Sequence, residues 1–432
     1  MESYPYAGLS EVPHLSLSYI HLLQNDTAEG VWFAPENQEN VERDVIPKLL
    51  TALRDIRGDH VSGAKDLATK ALAALTEIAE NGARVVIDGE KLASAQEVDD
   101  ISPSYFTERW WGFTRRVAWI ICQYGRPSMG AAINSTLTNS LERHHLQLDN
   151  TERTPVISCE TAVTRCLQIL RHDLELRRSN QQMKLIVGHV REMIQRTIDE
   201  NQIYDEEEPF VLNILTLSNS STTANGLLAA LSEKYQLAAG AKPTHIRMHV
   251  RLLESRPLCE GASFARRLQK MAQERNCADR LTMEIAADSA VAERAENIHI
   301  VVLGADRVTN SGDVLNKMGS FPAALCAKTV TNGQAKVVAI FEKDKIAKPG
   351  KMTKVDEDND SSELTAAWSK VDQGLLDEYP TIKCRNLYFE WVPAKYIDYY
   401  VCDAGLWSAE EIDTESRKKA EIEEQVFEGF SA

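Results

Sequence analysis

This sequence of 432 residues lacks several features that would point to particular functions. No apolar run approaches the roughly 20 residues needed to cross a bilayer, and residues 1–5 carry neither the basic region nor the apolar core of a secretory signal. No glycine-rich loop ends in Gly-Lys-Ser/Thr, and no Gly-x-Gly-x-x-Gly follows the first predicted strand, which argues against the usual nucleotide-triphosphate and dinucleotide sites. We therefore expect a cytoplasmic protein that does not contact a membrane.

Closely spaced cysteines and an excess of basic residues are also missing. The 8 cysteines are scattered without the spacing of a zinc or redox motif, so we expect reduced thiols and neither a metal centre nor a bound cofactor. The 64 acidic residues outnumber the 48 basic ones and give a formal charge of -16, which disfavours direct binding to nucleic acid. A small anion remains a candidate ligand, because its binding depends on local donors.

The length and the hydrophobic periodicity predict two domains. Residues 1–40 form an irregular N-terminal arm to which we assign no role, and residues 41–204 read as a helical domain with a break near Ser179. The acidic run 205–209 is the predicted linker. Residues 209–432 then form an α/β domain, so the predicted fold class is α/β, with an all-helical N-terminal domain followed by a Rossmann-like parallel domain.

The second domain alternates short apolar runs with helical patterns, which is the rhythm of a parallel sheet. Strands are predicted at 210–217, 245–253, 281–286, 298–303 and 336–341, and helices near 223–235, 261–275, 288–296 and 319–331. Because right-handed crossovers place the carboxyl ends of such strands at one edge, the polar residues that follow each strand are expected to converge there.

The strand at 298–303 is the most specific of these segments. It is apolar throughout, as a strand buried on both faces would be, and Asp306, Asn316 and Lys317 follow it. These three residues are candidate ligand contacts. The alternative is that Asp306 caps a turn and Lys317 pairs with it.

Two candidates in the helical domain allow equally simple alternatives. Arg126 stands at a helix junction, where it could face a phosphate or form a surface salt bridge. Gly63 opens a predicted helix whose backbone N–H groups could hold an anion, or it could belong to an ordinary turn between helices.

Three later segments complete the chain. The loop 343–362 is rich in Lys and then in Asp, and we interpret it as a solvated insertion. Residues 386–392 predict a last strand leading into a helix opened by Pro393. The tail 408–430 is charged and amphipathic.

Motifs at these strand ends resemble one known family from about Asp55 onward. They are 214–219 (ILTLSN), 254–261 (ESRPLCEG), 288–290 (DSA), 304–307 (GADR), 316–319 (NKMG) and 388–393 (YFEWVP). The set is similar to that of the regulatory alpha, beta and delta subunits of translation initiation factor 2B, the methylthioribose-1-phosphate isomerases and the ribose-1,5-bisphosphate isomerases. The resemblance implies a helical N-terminal domain and a Rossmann-like C-terminal domain that mediates dimerisation.

The resemblance also implies roles for individual residues. The isomerases convert an aldose phosphate to a ketose phosphate with a Cys and an Asp in the cleft between the domains, and Asp306 matches that Asp. Ser218 stands where they have the Cys, and Ser62 precedes Gly63 where they have an Arg. A hydroxyl, unlike a thiol, needs a positioned base to become reactive. The ligand-binding positions carried over are Ser62, Gly63, Arg126, Asn219, Arg256, Asn316 and Lys317.

Ser218 and Ser62 together favour a binding protein of the regulatory-subunit type. It would hold a sugar phosphate or nucleotide, form a homodimer or an assembly with related subunits, and act in translation initiation or its regulation. The alternative is an aldose-ketose isomerase in which Asp306 moves the proton and Ser218 orients the substrate. A third possibility is a scaffold whose pocket binds nothing.

Overall fold

The computed structural model describes residues 45–59, 62–94, 103–151, 159–179, 181–201, 210–237, 242–350 and 358–430. The predicted arm at 1–40 and the predicted linker at 205–209 lie outside these ranges. The contacts divide the chain into a helical unit, which comprises Met1–Arg178 with Glu421–Ala432, and an α/β unit, which comprises Ser179–Ala420.

The helical unit is built from amphipathic helices. They are α1 (Ile46–Gly58), α2 (Ala64–Ser94), α3 (Pro103–Tyr124), α4 (Gly130–Thr151) and α5 (Cys159–Arg178). Apolar side chains at helical spacing, among them Leu49, Leu67 and Ile120, are fully or almost fully buried. Trp110 is also buried, and its indole N–H donates to the Ala79 carbonyl at 2.9 Å, so this polar atom is satisfied inside the core.

The α/β unit alternates strands and helices along the chain as predicted. Its elements are α6 (Gln181–Asn201), β1 (Val211–Thr216), α7 (Ser221–Ser232), β2 (Lys234–Tyr235), β3 (Thr244–His245), β4 (Arg247–Leu253), α8 (Glu260–Glu274), β5 (Leu281–Ala286), α9 (Val291–Arg294), β6 (Ile300–Gly304), β7 (Arg307–Val308), β8 (Val314–Lys317), α10 (Ser320–Val330), β9 (Lys336–Ile340), α11 (Ser362–Thr365), α12 (Leu375–Glu378), β10 (Phe389–Val392), β11 (Tyr399–Cys402), β12 (Gly405–Trp407) and α13 (Ala409–Val426).

The main sheet has the order β12-β11-β9-β6-β1-β4-β5. All neighbouring pairs are parallel except the β11–β12 hairpin. From β1 the chain builds outward through β4 and β5, and then through β6 and β9 on the other side, so β1 and β6 flank the point where the strand order reverses. The predicted fold class is confirmed, and β6 is buried at every residue, as its apolar run predicted.

The division into units falls between Arg178 and Ser179, earlier than the predicted linker at 205–209. The physical reason lies in α6. Its apolar residues, including Ile186, Val190 and Ile194, share a core cluster with Leu212 and Ile214 of β1. A helical pattern shows that a helix has an apolar face but not which neighbouring core that face will join.

A small antiparallel sheet in the order β10-β8-β7 was not predicted. Asn316 and Lys317, where no strand was predicted, lie in β8, and β10 pairs with β8 instead of joining the main sheet. The helix expected after Pro393 is wrong, because only the 3₁₀ turn Ala394–Tyr396 precedes β11. These strands are two to four residues long and depend on partners distant in sequence, which gives them little local signal.

Candidate functional site

The turns after β1, β4 and β5 are tied together by short hydrogen bonds. The Ser218 N–H donates to Ser255 Oγ at 2.8 Å, and the Ser255 N–H donates to Asp288 Oδ1 at 2.9 Å. The Arg256 N–H donates to the other Asp288 oxygen at 2.8 Å. Ser218 and Ser255 have φ values of 65° and 58°, a left-handed conformation that is uncommon for residues other than glycine. Strained backbone held by a network of this kind is typical of functional sites.

Asp306 and Asn316 lie at the end of β6, beside these turns. The Asp306 N–H donates to the Leu315 carbonyl at 2.8 Å, and Asn316 Nδ2 donates to Ser320 Oγ at 2.9 Å. A Cβ atom at Gly304 would lie 3.3 Å from Asn316 Oδ1, so the glycine allows this close approach. Asp306 and Asn316, two of the predicted candidate residues, therefore lie at the carboxyl edge of the central strand.

Lys317 lies at the same edge but does not pair with Asp306. Its Nζ is 3.2 Å from Glu260 Oε1 and about 5 Å from the ring centroids of Tyr388 and Phe389. The alternative of an Asp306–Lys317 pair is therefore wrong. Lys317 and Arg256 line one small pocket together with Ser255, Pro257, Leu258, Glu260, Met318 and Tyr388.

Lys345 is a residue at this edge that the sequence analysis missed. Its Nζ donates to the Ala305 carbonyl at 2.7 Å and lies 3.7 Å from Glu342 Oε2. Glu342 also accepts a hydrogen bond from Thr222 Oγ1 at 3.0 Å, and it is 1% exposed. These contacts join the ends of β1, β6 and β9. The start of the loop 343–362 thus belongs to a buried ionic cluster and is not a solvated insertion. The prediction was wrong there because charged residues are usually solvated.

The charge state of Lys345 follows from its surroundings. Burial acts to lower its pKa, but the carboxylates of Glu342, Asp306 and Asp344 outweigh that effect and raise the pKa above its ordinary value. Lys345 is therefore an ammonium at neutral pH, and Asp306 is one of the carboxylates that favour its charged form. Lys419 of α13 stabilises the turn that contains Lys345, because its Nζ donates to the Lys343 and Ile346 carbonyls. Burial lowers the pKa of Lys419 to about 8.

Side chains of this protein already accept hydrogen bonds from N–H groups at two helix N-termini of this edge. Glu390 accepts hydrogen bonds from the N–H groups of Gly319 and Phe321 at the start of α10, and burial raises its pKa. Ser220 caps α7 by accepting the Thr223 N–H at 3.2 Å. Asn219 differs, because its Oδ1 is buried and accepts no hydrogen bond from any residue within the described ranges. A ligand hydroxyl could supply that donor.

The predicted residues of the helical unit gather around Asp59, which the sequence analysis overlooked. The Ser62 N–H donates to Asp59 Oδ1 at 2.8 Å, and Arg126 Nη1 donates to the Asp59 carbonyl. Lys70 pairs with the Asp59 carboxylate, and Gly63 begins the turn into α2. Arg126 is 3% exposed, so the alternative of a surface salt bridge is wrong. The Asp59 carboxylate thus accepts the hydrogen bond of the Ser62 N–H, a donor that was expected to face a phosphate.

Among the residues with described coordinates, no group of three or more His, Cys, Asp or Glu could hold a metal ion. None of the helices in those same segments combines the length and apolarity needed to cross a bilayer.

Solved structures agree with the fold, and relatives match part of the sequence. A ribose 1,5-bisphosphate isomerase from Methanocaldococcus jannaschii is 31% identical over 126 residues, which is 29% of this chain and 38% of that protein. The aligned part thus spans less than half of the relative. A methylthioribose-1-phosphate isomerase from Pyrococcus horikoshii OT3 superposes with a TM-score of 0.50 at 16% identity, covering 87% of this chain and 88% of that one.

A chain of the tetrameric eIF2B-beta2-delta2 complex from Chaetomium thermophilum is similar in the same way. Its TM-score is 0.51 at 15% identity, and the superposition covers 88% of this chain and 97% of that one. At such identities the two structures establish the fold alone. Residues 129–409 match the model of the initiation factor 2 subunit family (IF-2B), and this match covers more than half of the sequence. The chain therefore belongs to the initiation factor 2 subunit family.

Proposed function

We propose that this protein is a non-catalytic or weakly catalytic binding protein of the initiation-factor-2B regulatory-subunit type. Its ligand is a sugar phosphate or a nucleotide, bound at the carboxyl edge of the parallel sheet. The observation that carries the proposal is the serine at the turn after β1, since Ser218 takes the position of the isomerases' Cys while Asp306, Asn316 and Lys317 keep the motif residues.

The surroundings of Ser218 favour binding over nucleophilic chemistry. A serine hydroxyl becomes a useful acid, base or nucleophile only beside a positioned base. In the described parts of the chain, no side chain forms a hydrogen bond with Ser218 Oγ, and the Ser218 N–H is engaged by Ser255. Ser218 can donate a hydrogen bond to a sugar oxygen without any such activation.

The same edge offers the groups that a phosphorylated sugar requires. Arg256 and Lys317 supply positive charge for a phosphate. Asp306 and Asn219 supply oxygens that can accept from sugar hydroxyls. Lys345 is excluded from this role, because it is buried and its ammonium serves the Ala305 carbonyl and Glu342, whereas Arg256 and Lys317 remain partly exposed.

We also propose that the chain assembles as a homodimer or with related subunits and acts in translation initiation or its regulation. The similarity to a chain of a tetrameric complex supports an assembly of this kind. Light scattering behind a sizing column should give at least twice the mass of one chain. A single-chain mass at micromolar concentration would contradict the homodimer.

Ligand binding can be tested by thermal unfolding with a panel of pentose phosphates and nucleotides. A ligand present at about 100 times its Kd stabilises the native state by roughly 2.7 kcal/mol, which shifts Tm by several degrees. Lys317→Met should abolish the shift, whereas Lys383→Met, at an exposed position of the same unit, should retain it. If no compound raises the Tm of the wild type, the protein is a scaffold with an inactive pocket and the proposal fails.

An isomerase is the second candidate, and the retained Asp306 with its Asn316–Lys317 pair favours it. A single positioned carboxylate can contribute about 10²–10⁴-fold to proton transfer. Clear turnover of ribose-1,5-bisphosphate or methylthioribose-1-phosphate by the purified wild type would replace the binding proposal with this one. An Asp306→Asn variant that kept such turnover would rule out the carboxylate mechanism.

A further inference from the structure

The small pocket that carries Lys317 and Arg256 is closed by its own walls. Its volume is about 10 Å³, which leaves room for roughly one water molecule. Pockets that hold small-molecule ligands usually have a volume of about 300 Å³ or more. A ligand therefore reaches these two cations only when contacts inside the pocket are exchanged for contacts with the ligand.

Two polar contacts join the walls of this pocket. Lys317 Nζ lies 3.2 Å from Glu260 Oε1, and Arg256 Nη2 donates to the Leu364 carbonyl at 3.2 Å. Glu260 is the first residue of α8, and Leu364 lies in α11. Both cations of the pocket thus already have an acceptor from the protein itself, and a phosphate has to take the place of these acceptors.

Glu260 is held by fewer donors than the other glutamates described at this edge. Glu390 accepts two backbone N–H groups, and Glu342 is almost fully buried beside Lys345. Among the residues that the structure describes, the Glu260 carboxylate has Lys317 as its polar partner and no other. The two side chains are 22% and 18% exposed, so a dissolved anion can reach the pair. Replacing Glu260 by a ligand oxygen therefore breaks a single ion pair.

We propose that Glu260 is an autoinhibitory contact of the ligand site: its carboxylate competes with the ligand for Lys317 and keeps the pocket closed until a phosphate displaces it. This inference rests on the proposed function, in which Lys317 and Arg256 bind the phosphate. A phosphate can displace the carboxylate because it carries close to two negative charges at neutral pH and has three acceptor oxygens, enough for Lys317 and Arg256 together. The strength of the Glu260–Lys317 pair then lowers the affinity for the ligand.

Isothermal titration of the full chain with two probes, ribose 5-phosphate and adenosine monophosphate, tests this contact. Glu260→Gln keeps the size of the side chain and removes its charge. This variant should bind roughly 5-fold more tightly than the wild type, the factor that corresponds to one ion pair between partly exposed side chains. Glu274→Gln, the same substitution at the other end of α8, should bind like the wild type, since that exposed carboxylate lies 4.0 Å from Lys270. Weaker binding by Glu260→Gln would show that Glu260 helps to hold the ligand and would overturn the proposal.

Glu260→Asp separates the ion pair from a general repulsion of anions. This variant keeps the negative charge, but its side chain is shorter by one methylene group, which withdraws the carboxylate from Lys317. It should therefore bind the probes more tightly than the wild type, as Glu260→Gln does. If Glu260→Gln gained affinity while Glu260→Asp kept the wild-type affinity, the charge alone would explain the effect and the proposal would be overturned.

The same titrations distinguish this inference from the proposed function. If the wild type and Glu260→Gln bind the probes with equal affinity, the proposed function stands and the autoinhibitory role of Glu260 is overturned. If Glu260→Gln binds a probe and the wild type binds neither, the proposed function fails, and Glu260 is confirmed as the contact that closes the pocket. If neither protein binds either probe, both are overturned.

Discussion

The Asp59 loop of the helical unit and the carboxyl edge of the α/β unit were both expected to contact a phosphate, but their polar groups are used differently. In the loop, the Ser62 N–H, Arg126 and Lys70 all turn toward Asp59. At the edge, polar atoms such as Asn219 Oδ1 are buried without a partner from the described residues. The comparison teaches that a motif can keep its backbone while its donors become internal, and the unsatisfied Asn219 oxygen at the edge supports the ligand site proposed there.

The largest expected effect is a loss of stability when Lys345 at the carboxyl edge of the sheet is replaced. Lys345→Met removes the ammonium that lies 3.7 Å from the buried Glu342 carboxylate, so the free energy of unfolding should fall by about 3–5 kcal/mol. Urea denaturation measures this. Lys343→Met is the matched control, because that half-exposed lysine pairs with Glu415 at 3.4 Å and should contribute only about 0–1 kcal/mol. If both variants lost the same free energy of unfolding, Lys345 would not be the residue that stabilises this edge.

A smaller effect is expected at the Asp59 loop. Asp59→Ala removes the acceptor of the Ser62 N–H and the partner of Lys70, which should lower the free energy of unfolding by about 1–2 kcal/mol. The variant also frees these donors, so inorganic phosphate should raise its Tm more than that of the wild type. Asp55→Ala, at an exposed position of α1, is the control for both measurements. Unchanged stability together with an unchanged phosphate response would contradict the internal role of Asp59.

The smallest expected effect is a response of the α/β unit to acid. His299 Nδ1 accepts the Asn213 N–H at 2.9 Å, and burial lowers the pKa of His299 from 6.5. The unfolded chain therefore takes up the proton first, so the stabilisation is present above pH 6.5 and is lost as the pH falls below it. Thermal unfolding from about pH 8 to about pH 5.5 should show a Tm decline that His299→Gln reduces. His245→Gln, at an exposed position, should show the same dependence of Tm on pH as the wild type. If Tm declined equally in both variants, His299 would not be the cause of the decline.

The sequence was most informative where elements are long and apolar. The Leu281–Ala286 strand was predicted to the residue, and the apolar run of β6 correctly indicated a central strand. Because parallel strands present their ends together, the positions of Ser218 and Asp306 at one edge followed from the pattern of elements.

The remaining features depend on contacts that local sequence does not encode. Lys345 stands in a Lys- and Asp-rich segment, whose composition is typical of a solvated loop, yet its ammonium is buried by elements distant in the chain. β7 has two residues, and only its pairing with β8 makes it a strand. Asp59 reads as the end of a helix, and only the fold brings Arg126 to its carbonyl.

The central claim is that the edge of the α/β unit binds a sugar phosphate without converting it. Phosphorus NMR of the wild type with ribose 1,5-bisphosphate observes binding and turnover in one sample. The account predicts ligand resonances that broaden or shift with the wild type but not with Lys317→Met, and no product signals over hours. Product resonances that accumulate with the wild type, or ligand resonances that stay unchanged, would contradict it.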